Sequence, residues 1–240
     1  MSEEAKAVAL NIFSNALWAL LIAVPPLLIW IVSMFSRYLV GGKFRRAGVI
    51  AFFPDRDSYA SDRKLNLEDY LKTAAHSLTY AGHWLAISTD HRNTLTALSE
   101  MVAAGRKIDI VMLDQNLSNE MVAVYARFFS RSDADLRERI SSAWTKVIAW
   151  RDGLSSDGRR LVTLRSHTEF VSNSAFMFDE DQRSQKILID QKIWGLDRAD
   201  SFGIELSFDR GRSSNKSMPS LYRRYSQSIR KLRHSARLVP

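Results

Sequence analysis

The sequence predicts an α/β fold with a mixed sheet, preceded by one transmembrane helix and followed by a basic amphipathic helix. Three observations predict it. The first is an uncharged run from Ala7 to Ser36. The second is an alternation of short apolar runs with helical periodicities through the middle of the chain. The third is a basic C-terminal stretch that contains no acidic residue beyond Asp209.

The uncharged run is long enough to cross a bilayer, because a transmembrane helix needs about 20 apolar residues. Trp18 and Trp30 lie toward its two ends, as is typical of residues at membrane interfaces. Pro25 and Pro26 predict a kink, and a re-entrant hairpin at these prolines is an alternative. A cleaved signal peptide is a further alternative, although the run is long for one.

Basic residues predict the orientation of this helix, since they favour the cytosolic side. The N-terminal flank carries Glu3, Glu4 and Lys6, whereas residues 37–46 contain four basic residues and no acidic one. We therefore expect a single-pass membrane protein with its N-terminus outside and its C-terminal domain in the cytosol. The expected segments are a transmembrane anchor at 1–36, a basic juxtamembrane linker at 37–46, an α/β domain at 47–209 and a basic helix or tail at 210–240.

The residue inventory excludes several enzyme classes. The chain contains no cysteine, which excludes disulfides, thiol catalysis and cysteine-ligated metals. Its five histidines form no His-x3-His or His-Glu-x-x-His cluster, so we expect no metal and no cofactor. Gly-rich phosphate loops and the Gly-x-Ser-x-Gly nucleophile motif are absent from the sequence.

Local patterns predict the elements of the α/β domain. Short apolar runs predict strands, and apolar residues three and four apart predict helices. The predicted strands cover 47–53, 78–88, 107–114, 161–165, 174–178, 186–189 and 202–208, and the predicted helices cover about 67–75, 93–104, 119–129 and 133–151. Gly82 is a candidate break within the second of these strands. Ser118 and Ser132 are predicted helix N-caps, Asp179–Arg183 is a predicted hairpin turn, and residues 152–160 are a predicted loop.

The order of these segments resembles one half of the phospholipase D-like superfamily. Ile108–Asp114 resembles the family's apolar strand that ends in aspartate, Ala175–Glu180 takes the place of the catalytic strand, and Ser201–Leu206 supplies a late glutamate. The resemblance spans about residues 47–209 and implies a mixed-sheet sandwich. It also implies a homodimer, because family members with a single half commonly pair.

The family's catalytic signature, His-x-Lys-x4-Asp, is absent from this sequence. In that motif the histidine attacks phosphorus and the lysine binds the phosphate. Counting back from Glu180 puts Asn173 and Ala175 at the histidine and lysine positions. Starting from His167 instead puts Glu169 at the lysine position, where a carboxylate would repel a phosphate. We therefore predict that phosphodiester hydrolysis by the family mechanism is lost.

A ligand site is expected beyond the carboxyl ends of the strands, where open α/β sheets bind ligands. Polar side chains follow three of the predicted strands, and Arg165 with His167 would suit a phosphate group. The candidate ligand-binding residues are Ser88, Asp90, His91, Asp114, Arg165 and His167. The alternative is that these residues only cap helices, end strands and form surface pairs.

The basic tail predicts contact with a negatively charged surface. Nine basic residues follow Asp209, and Leu221, Ile229 and Leu232 share one face of a helix predicted to begin near Pro219. Lipid contact is favoured because the anchor holds the tail near a membrane. Nucleic-acid binding and packing of the helix on the domain are the alternatives. The candidate membrane or phosphate contacts are Arg223, Arg224, Arg230, Lys231 and Arg233.

Together these features predict a membrane-anchored, catalytically degenerate phospholipase D-like protein that acts as a cytosolic sensor or effector. Its expected partners are the lipid bilayer, a second copy of itself and a ligand or protein, with nucleic acid less favoured. An active membrane-bound phosphodiesterase or nuclease with a nonstandard site around His167 and Glu169 is the first alternative. A structural subunit of a membrane complex is the second.

Overall fold

A computed structural model describes residues 41–53, 67–85, 92–195, 202–211 and 218–240. The chain divides into two compact units, Met1–Arg46 and Ala47–Pro240. In the described part of the first unit, residues 41–46, the chain is helical. The predicted transmembrane helix lies outside the described residues, and no helix within the described ranges is long and apolar enough to span a membrane.

The described part of the second unit contains eight strands and six helices. The strands are β1 (Val49–Phe53), β2 (Ser77–Ala81), β3 (Lys107–Leu113), β4 (Val162–His167), β5 (Asn173–Phe178), β6 (Ser184–Gln191), β7 (Phe202–Asp209) and β8 (Arg237–Leu238). The helices are α1 (Leu67–Leu71), α2 (Arg92–Ala103), α3 (Asn119–Phe128), α4 (Asp133–Asp152), α5 (Ser156–Arg160) and α6 (Ser220–Ser235). All eight strands form one sheet in the order β1-β7-β6-β5-β2-β3-β4-β8.

The sheet is mixed, which confirms the predicted α/β class. β2, β3 and β4 run parallel, whereas β5, β6, β7 and β1 extend the sheet from β2 by antiparallel pairing. The carboxyl ends of the three parallel strands therefore lie at the same end of the sheet as the start of β5 and the end of β6. A mixed sheet between helices fits the sandwich that the family resemblance implies.

Helices pack on both faces of the sheet. On one face, α1 to α4 bury a core that includes Ile110 of β3 and Trp144 of α4. On the other face, α6 packs Tyr222 and Ile229 against Val111 and its neighbours. Ile110 and Val111 enter different cores because successive side chains of a strand point to opposite faces. The C-terminal helix thus belongs to the packed domain.

Several local predictions are confirmed. The Ser118 hydroxyl accepts a hydrogen bond from the Met121 N–H at 3.3 Å, and the Ser132 hydroxyl accepts one from the Asp135 N–H at 3.2 Å. Both serines therefore cap helices as expected. The predicted turn at 179–183 joins β5 and β6 into an antiparallel hairpin.

β2 ends at Ala81 rather than at residue 88. The strand thus stops at the candidate break, Gly82, where a Cβ would lie only 2.5 Å from Ser174 Oγ. Residues 156–160 form α5 instead of the predicted loop, and the Ser155 hydroxyl caps it by accepting from the Gly158 N–H. This capping contact lies outside the apolar periodicity that the sequence displays.

Candidate functional site

His83 and Ser174 lie side by side at the sheet edge where β2 ends and β5 begins. His83 is 2% exposed, and its Nε2–H donates to the Val171 carbonyl oxygen at 2.6 Å, since a carbonyl oxygen only accepts. Nδ1 therefore carries no proton and accepts from Ser174 Oγ at 3.3 Å. Burial lowers the pKa of His83 to about 3. The imidazole is consequently neutral at pH 7.

A small cavity, which we call the basic cavity, opens beside this pair. Its walls include His83, Ser174 and the cationic side chains of Lys192, Arg131 and Arg139. Its volume is about 40 Å³, whereas one water molecule needs roughly 10–15 Å³ on the same measure. The basic cavity therefore has room to enclose a compact group such as a phosphate, but not a whole nucleotide.

The three cations of the basic cavity are held by two carboxylates. Lys192, at 7% exposure, places Nζ 2.6 Å from Asp190 Oδ2. Arg131 and Arg139 both bind Asp135, at 2.7 and 3.0 Å. Among the described residues that line the cavity, three are cationic and none is a carboxylate. A cationic lining of this kind is complementary to an anion.

The Ser174–His83 pair is poorly suited to nucleophilic catalysis. A general base works best with a pKa near the working pH, and the pKa of His83 is about 3. The Tyr80 hydroxyl also lies 3.4 Å from Ser174 Oγ and donates to the Trp84 carbonyl at 2.7 Å. The hydroxyl of Ser174 is thus positioned among hydrogen-bonding groups without a strong base.

His167, predicted as the centre of a nonstandard catalytic site, is 3% exposed. Its Nε2–H donates to the Gly82 carbonyl at 3.0 Å and ties the end of β4 to the end of β2. Within the described ranges, Nδ1 has no hydrogen-bond partner. Burial lowers the pKa of His167. The side chain of Glu169 is exposed. The backbone carbonyl oxygen of Glu169 accepts a hydrogen bond from the Tyr125 hydroxyl at 2.9 Å.

Asp114, at the carboxyl end of β3, is held by three hydrogen bonds. Oδ2 accepts from Ser166 Oγ at 2.9 Å and from Arg237 Nη2 at 2.6 Å, and Oδ1 accepts from the Asn116 N–H at 2.8 Å. Burial disfavours the ionised form, but these bonds outweigh it and lower the pKa of Asp114. A cavity of about 240 Å³ beside it includes Trp144 in its wall. Asp114 therefore anchors the C-terminal strand at this edge.

Arg165 and His167, expected to recognise a phosphate together, are engaged in different contacts. Arg165 places Nε 3.4 Å from Asp109 Oδ1, and Arg233 of α6 lies 3.9 Å from the other oxygen of that carboxylate. Burial raises the pKa of Asp109, and the two arginines oppose that shift. Arg165 thus contributes to a charged cluster beneath α6.

Two residues of the basic helix α6 that were predicted to contact the membrane, Arg230 and Arg233, form ion pairs within the domain. Arg230 Nε donates to Glu180 Oε1 at 2.7 Å, and Arg233 donates to both oxygens of the same carboxylate. Arg230 also reaches Asp181 at 3.0 Å. These pairs support the alternative in which the helix packs on the domain. The other candidates on α6 are exposed, and they are Arg223, Arg224 and Lys231.

Ser88, Asp90 and His91 lie outside the described residues. Within the described ranges, no three His, Asp or Glu side chains converge as metal ligands. The residues that the sequence analysis missed are His83, Ser174, Arg131, Arg139 and Lys192. A polar side chain just beyond the end of a strand is the signal that could have found two of them, since His83 lies two residues after β2 and Lys192 directly follows β6.

Asp179 directly follows β5, and its carboxylate is held in place by backbone N–H groups. It accepts from the backbone N–H groups of residues 75–77 at 3.0, 2.6 and 3.1 Å. Counting back from Asp179 instead of Glu180 puts Ser172 and Ser174 at the histidine and lysine positions of the family motif. In this register the lysine position opens onto the basic cavity.

No protein-family model and no curated protein matches this sequence. Three similar solved structures are the phospholipase D family member Nuc from Salmonella typhimurium, the archaeal chromatin protein TrmBL2 and the phosphatidylserine synthase of Haemophilus influenzae Rd KW20. Nuc is 12% identical with a TM-score of 0.39, covering 72% of this chain and 87% of its own.

TrmBL2, described as having a novel mode of DNA binding, is 10% identical with a TM-score of 0.43 and covers 97% of this chain and 71% of its own. The synthase is 12% identical with a TM-score of 0.45, covering 72% of this chain. This chain spans 36% of the synthase. With TM-scores below 0.5, these similarities identify neither a family nor an activity for the protein.

Proposed function

We propose that this chain is a membrane-anchored, phospholipase D-like domain that binds an anionic ligand without hydrolysing it and acts as a cytosolic sensor or effector. The observation that carries the proposal is the composition of the sheet edge around β5. There a cavity whose described lining includes three cationic side chains also contains a serine and a weakly basic histidine. Such a site can attract an anion but lacks an activated nucleophile.

The residues at the family's catalytic positions support the loss of hydrolysis. The positions that follow from Asp179 or from Glu180 are Ser172, Ser174, Asn173 and Ala175. None of them supplies an imidazole nucleophile or a cation. Asn173 lies on a cavity of about 200 Å³ whose described lining contains no charged side chain. A phosphoryl group there would gain little electrostatic stabilisation.

The size and charge of the basic cavity support a compact anion as its ligand. Arg139 is 44% exposed at its side chain, so a ligand can approach from solvent. Lys192, Arg131 and Arg139 line the same cavity with cationic N–H groups. Charge-assisted hydrogen bonds of this kind are the strong ones in anion recognition. Phosphate or a terminal phosphoryl group is the proposed ligand chemistry.

The membrane part of the proposal is supported by the sequence alone. The uncharged run before Arg37 and the basic residues after it predict an anchor with a cytosolic domain. Because the anchor and the domain lie in one chain, ligand binding would take place at the membrane surface. A domain of this kind is suited to report a soluble signal to membrane components.

Hydrolysis is tested with the purified chain, generic phosphodiesters and nucleic acids, and a His167→Ala variant alongside. We expect no turnover from either protein. Turnover that disappears in His167→Ala would overturn the proposal and establish an anchored hydrolase. Turnover that survives in His167→Ala and disappears in His83→Ala would overturn it as well, with the reaction then assigned to the basic cavity.

Anion binding is tested by the rise in melting temperature that inorganic phosphate produces. A ligand at ten times its dissociation constant stabilises the folded state by about 1.4 kcal/mol. Arg139→Gln should reduce the rise in melting temperature. The matched control is Arg160→Gln, since the side chain of Arg160 is 82% exposed and lies on α5. Equal rises in both variants, or no rise in the unmodified protein, would contradict anion binding at the basic cavity.

A further inference from the structure

We propose that the outward side of α6 docks the domain onto anionic lipid headgroups beside the membrane anchor. This inference rests on the anchor in the proposed function and adds to it a surface and a partner. The structure divides the Arg and Lys residues of α6 into two groups. Arg230 and Arg233 bind Glu180 within the domain. The others are exposed and form what we call the outward basic face, which consists of Arg223, Arg224 and Lys231.

The outward basic face carries positive charge that no neighbour neutralises. Arg224 and Lys231 lie on one side of the helix, since they are about two helical turns apart. Within the described part of the chain, none of the three side chains is in ion-pair contact with a carboxylate. α6 itself contains no acidic residue. Such a face is complementary to a negatively charged surface.

The apolar side of α6 is already used inside the domain. Tyr222 is 0% exposed and Ile229 is 5% exposed, and both belong to the core between the helix and the sheet. An interfacial helix binds a bilayer by burying its apolar face below the headgroups, and here the side chains that would insert are packed on the sheet. Contact through the outward basic face is therefore electrostatic, stays at headgroup level and weakens with salt.

The chain enters the domain next to the start of α6. A Cβ at Gly48 would lie 2.9 Å from Pro219 Cβ and 3.4 Å from Tyr222 Cβ. Residues 37–47 join the expected anchor to Gly48 and, fully extended, reach at most about 40 Å. A short tether gives an effective concentration on the order of millimolar. A weak electrostatic contact is therefore enough to hold the domain on the membrane.

Anionic lipid fits this face better than nucleic acid does. Proteins that bind single strands stack the bases on exposed aromatic side chains. Tyr222 is buried and its hydroxyl donates to Gln185 Oε1 at 2.8 Å, and Tyr225 is only partly exposed. The outward basic face thus offers charge without a stacking surface. A bilayer requires charge alone, since each basic residue near an anionic leaflet strengthens association roughly fivefold.

The absence of cysteine from the chain makes a direct test possible. A donor dye is attached to Gln227→Cys, at an exposed position of α6 between Arg224 and Lys231. The full chain is reconstituted in vesicles that carry acceptor-labelled lipid and are either zwitterionic or contain phosphatidylserine. We expect more energy transfer with phosphatidylserine, and none of this increase at about 1 M salt, where the screening length is about 3 Å. A dye at Ser141→Cys, exposed on α4 across the sheet, should show no increase.

Replacing all three cations of the outward basic face with glutamine should remove the increase. Three such residues change the ratio of docked to free domain by roughly a hundredfold. A matched control removes the same charge at exposed positions outside α6, and its substitutions are Lys107→Gln, Arg127→Gln and Arg159→Gln. The control should keep the increase, and circular dichroism establishes that both triple variants are folded.

Equal transfer from the dye on α6 in the two kinds of vesicle, or an increase that the α6 triple variant retains, would overturn the inference. DNA that binds the chain in zwitterionic vesicles but not the α6 triple variant, with no effect of phosphatidylserine, would overturn it in favour of nucleic acid. Flotation of the chain with zwitterionic vesicles after an alkaline wash tests the anchor alone. A chain that does not float overturns the anchor and this inference with it, whereas a chain that floats without any change in transfer overturns this inference only.

Discussion

The Asp179 carboxylate lies 2.6 Å from the backbone nitrogen of His76, a residue 103 positions earlier in the chain. The same carboxylate accepts from the N–H groups of Ala75 and Ser77. Asp179 thus fixes the end of β5 to the segment that enters β2. This contact aligns the two strands whose opposite ends carry His83 and Ser174.

Replacing Asp179 with alanine is therefore expected to lower the free energy of unfolding. Three N–H groups would lose a charged acceptor, which costs roughly 2–4 kcal/mol in total. Asp181→Ala is the matched control, because Asp179 and Asp181 both have positive φ, at 54° and 68°. The side chain of Asp181 is 72% exposed. Urea denaturation should show a loss at least about 2 kcal/mol larger for Asp179→Ala, and equal losses would contradict the role of its carboxylate.

Gly82→Ala is expected to disturb the His83–Ser174 pair through packing. An alanine Cβ would lie 2.5 Å from Ser174 Oγ and 2.7 Å from its Cβ. Overpacking of this kind costs roughly 1–3 kcal/mol. The double variant Gly82→Ala with Ser174→Gly removes the contact and should recover part of the loss. A double-mutant cycle by urea denaturation measures the recovery, and strictly additive losses would show that the two sites are not in contact.

His83 gives the stability of the protein a pH dependence with a defined sign. Burial lowers its pKa from 6.5 to about 3, so between these values the unfolded chain binds a proton that the folded chain does not. The contribution of neutral His83 to the free energy of unfolding is fully present above about pH 6.5. It is lost as the pH falls toward 3, by up to roughly 1.4 kcal/mol per pH unit. His167, with a pKa also lowered by burial, acts with the same sign. Asp109, with a raised pKa, acts with the opposite sign at lower pH.

A comparison with His83→Gln isolates the contribution of His83. The free energy of unfolding is measured by urea denaturation at pH 7.5 and pH 5 for both proteins. The difference between the two pH values should be smaller in the variant by roughly 1–2 kcal/mol. A variant that loses as much stability on acidification as the unmodified protein would show that His83 is protonated equally in both states.

The sequence predicted the elements whose partners lie within one turn or one strand. The stripe of Leu136, Ile140 and Trp144 on α4 is buried, as its spacing indicated, because helical periodicity depends only on neighbours in the chain. The site could not be predicted in this way. His83 and Ser174 are 91 residues apart, and only the pairing of β2 with β5 brings them together. Periodicity identifies the buried face of an element but not the element that covers it.

The pairing of α6 with the β5–β6 turn leads to the final prediction. Glu180 has 9% of its side chain exposed and accepts from both Arg230 and Arg233. Glu180→Gln would remove the charged acceptor that these two arginines share, although Arg230 would keep Asp181 and Arg233 its longer contact with Asp109. It should lower the free energy of unfolding by roughly 1–2 kcal/mol. Arg224→Gln, an exposed position on the same helix, should change it by less than about 0.5 kcal/mol.

Hydrogen exchange distinguishes a local effect on α6 from a general loss of stability. If Glu180 holds the helix, amides of Ser220–Ser235 should exchange faster in Glu180→Gln while those of β3 remain protected. Equal acceleration in both elements would mean that the ion pairs stabilise the whole domain instead. Unchanged exchange in α6, with unchanged stability, would mean that the apolar contacts of Tyr222 and Ile229 alone hold the helix on the sheet, with its arginines contributing nothing measurable.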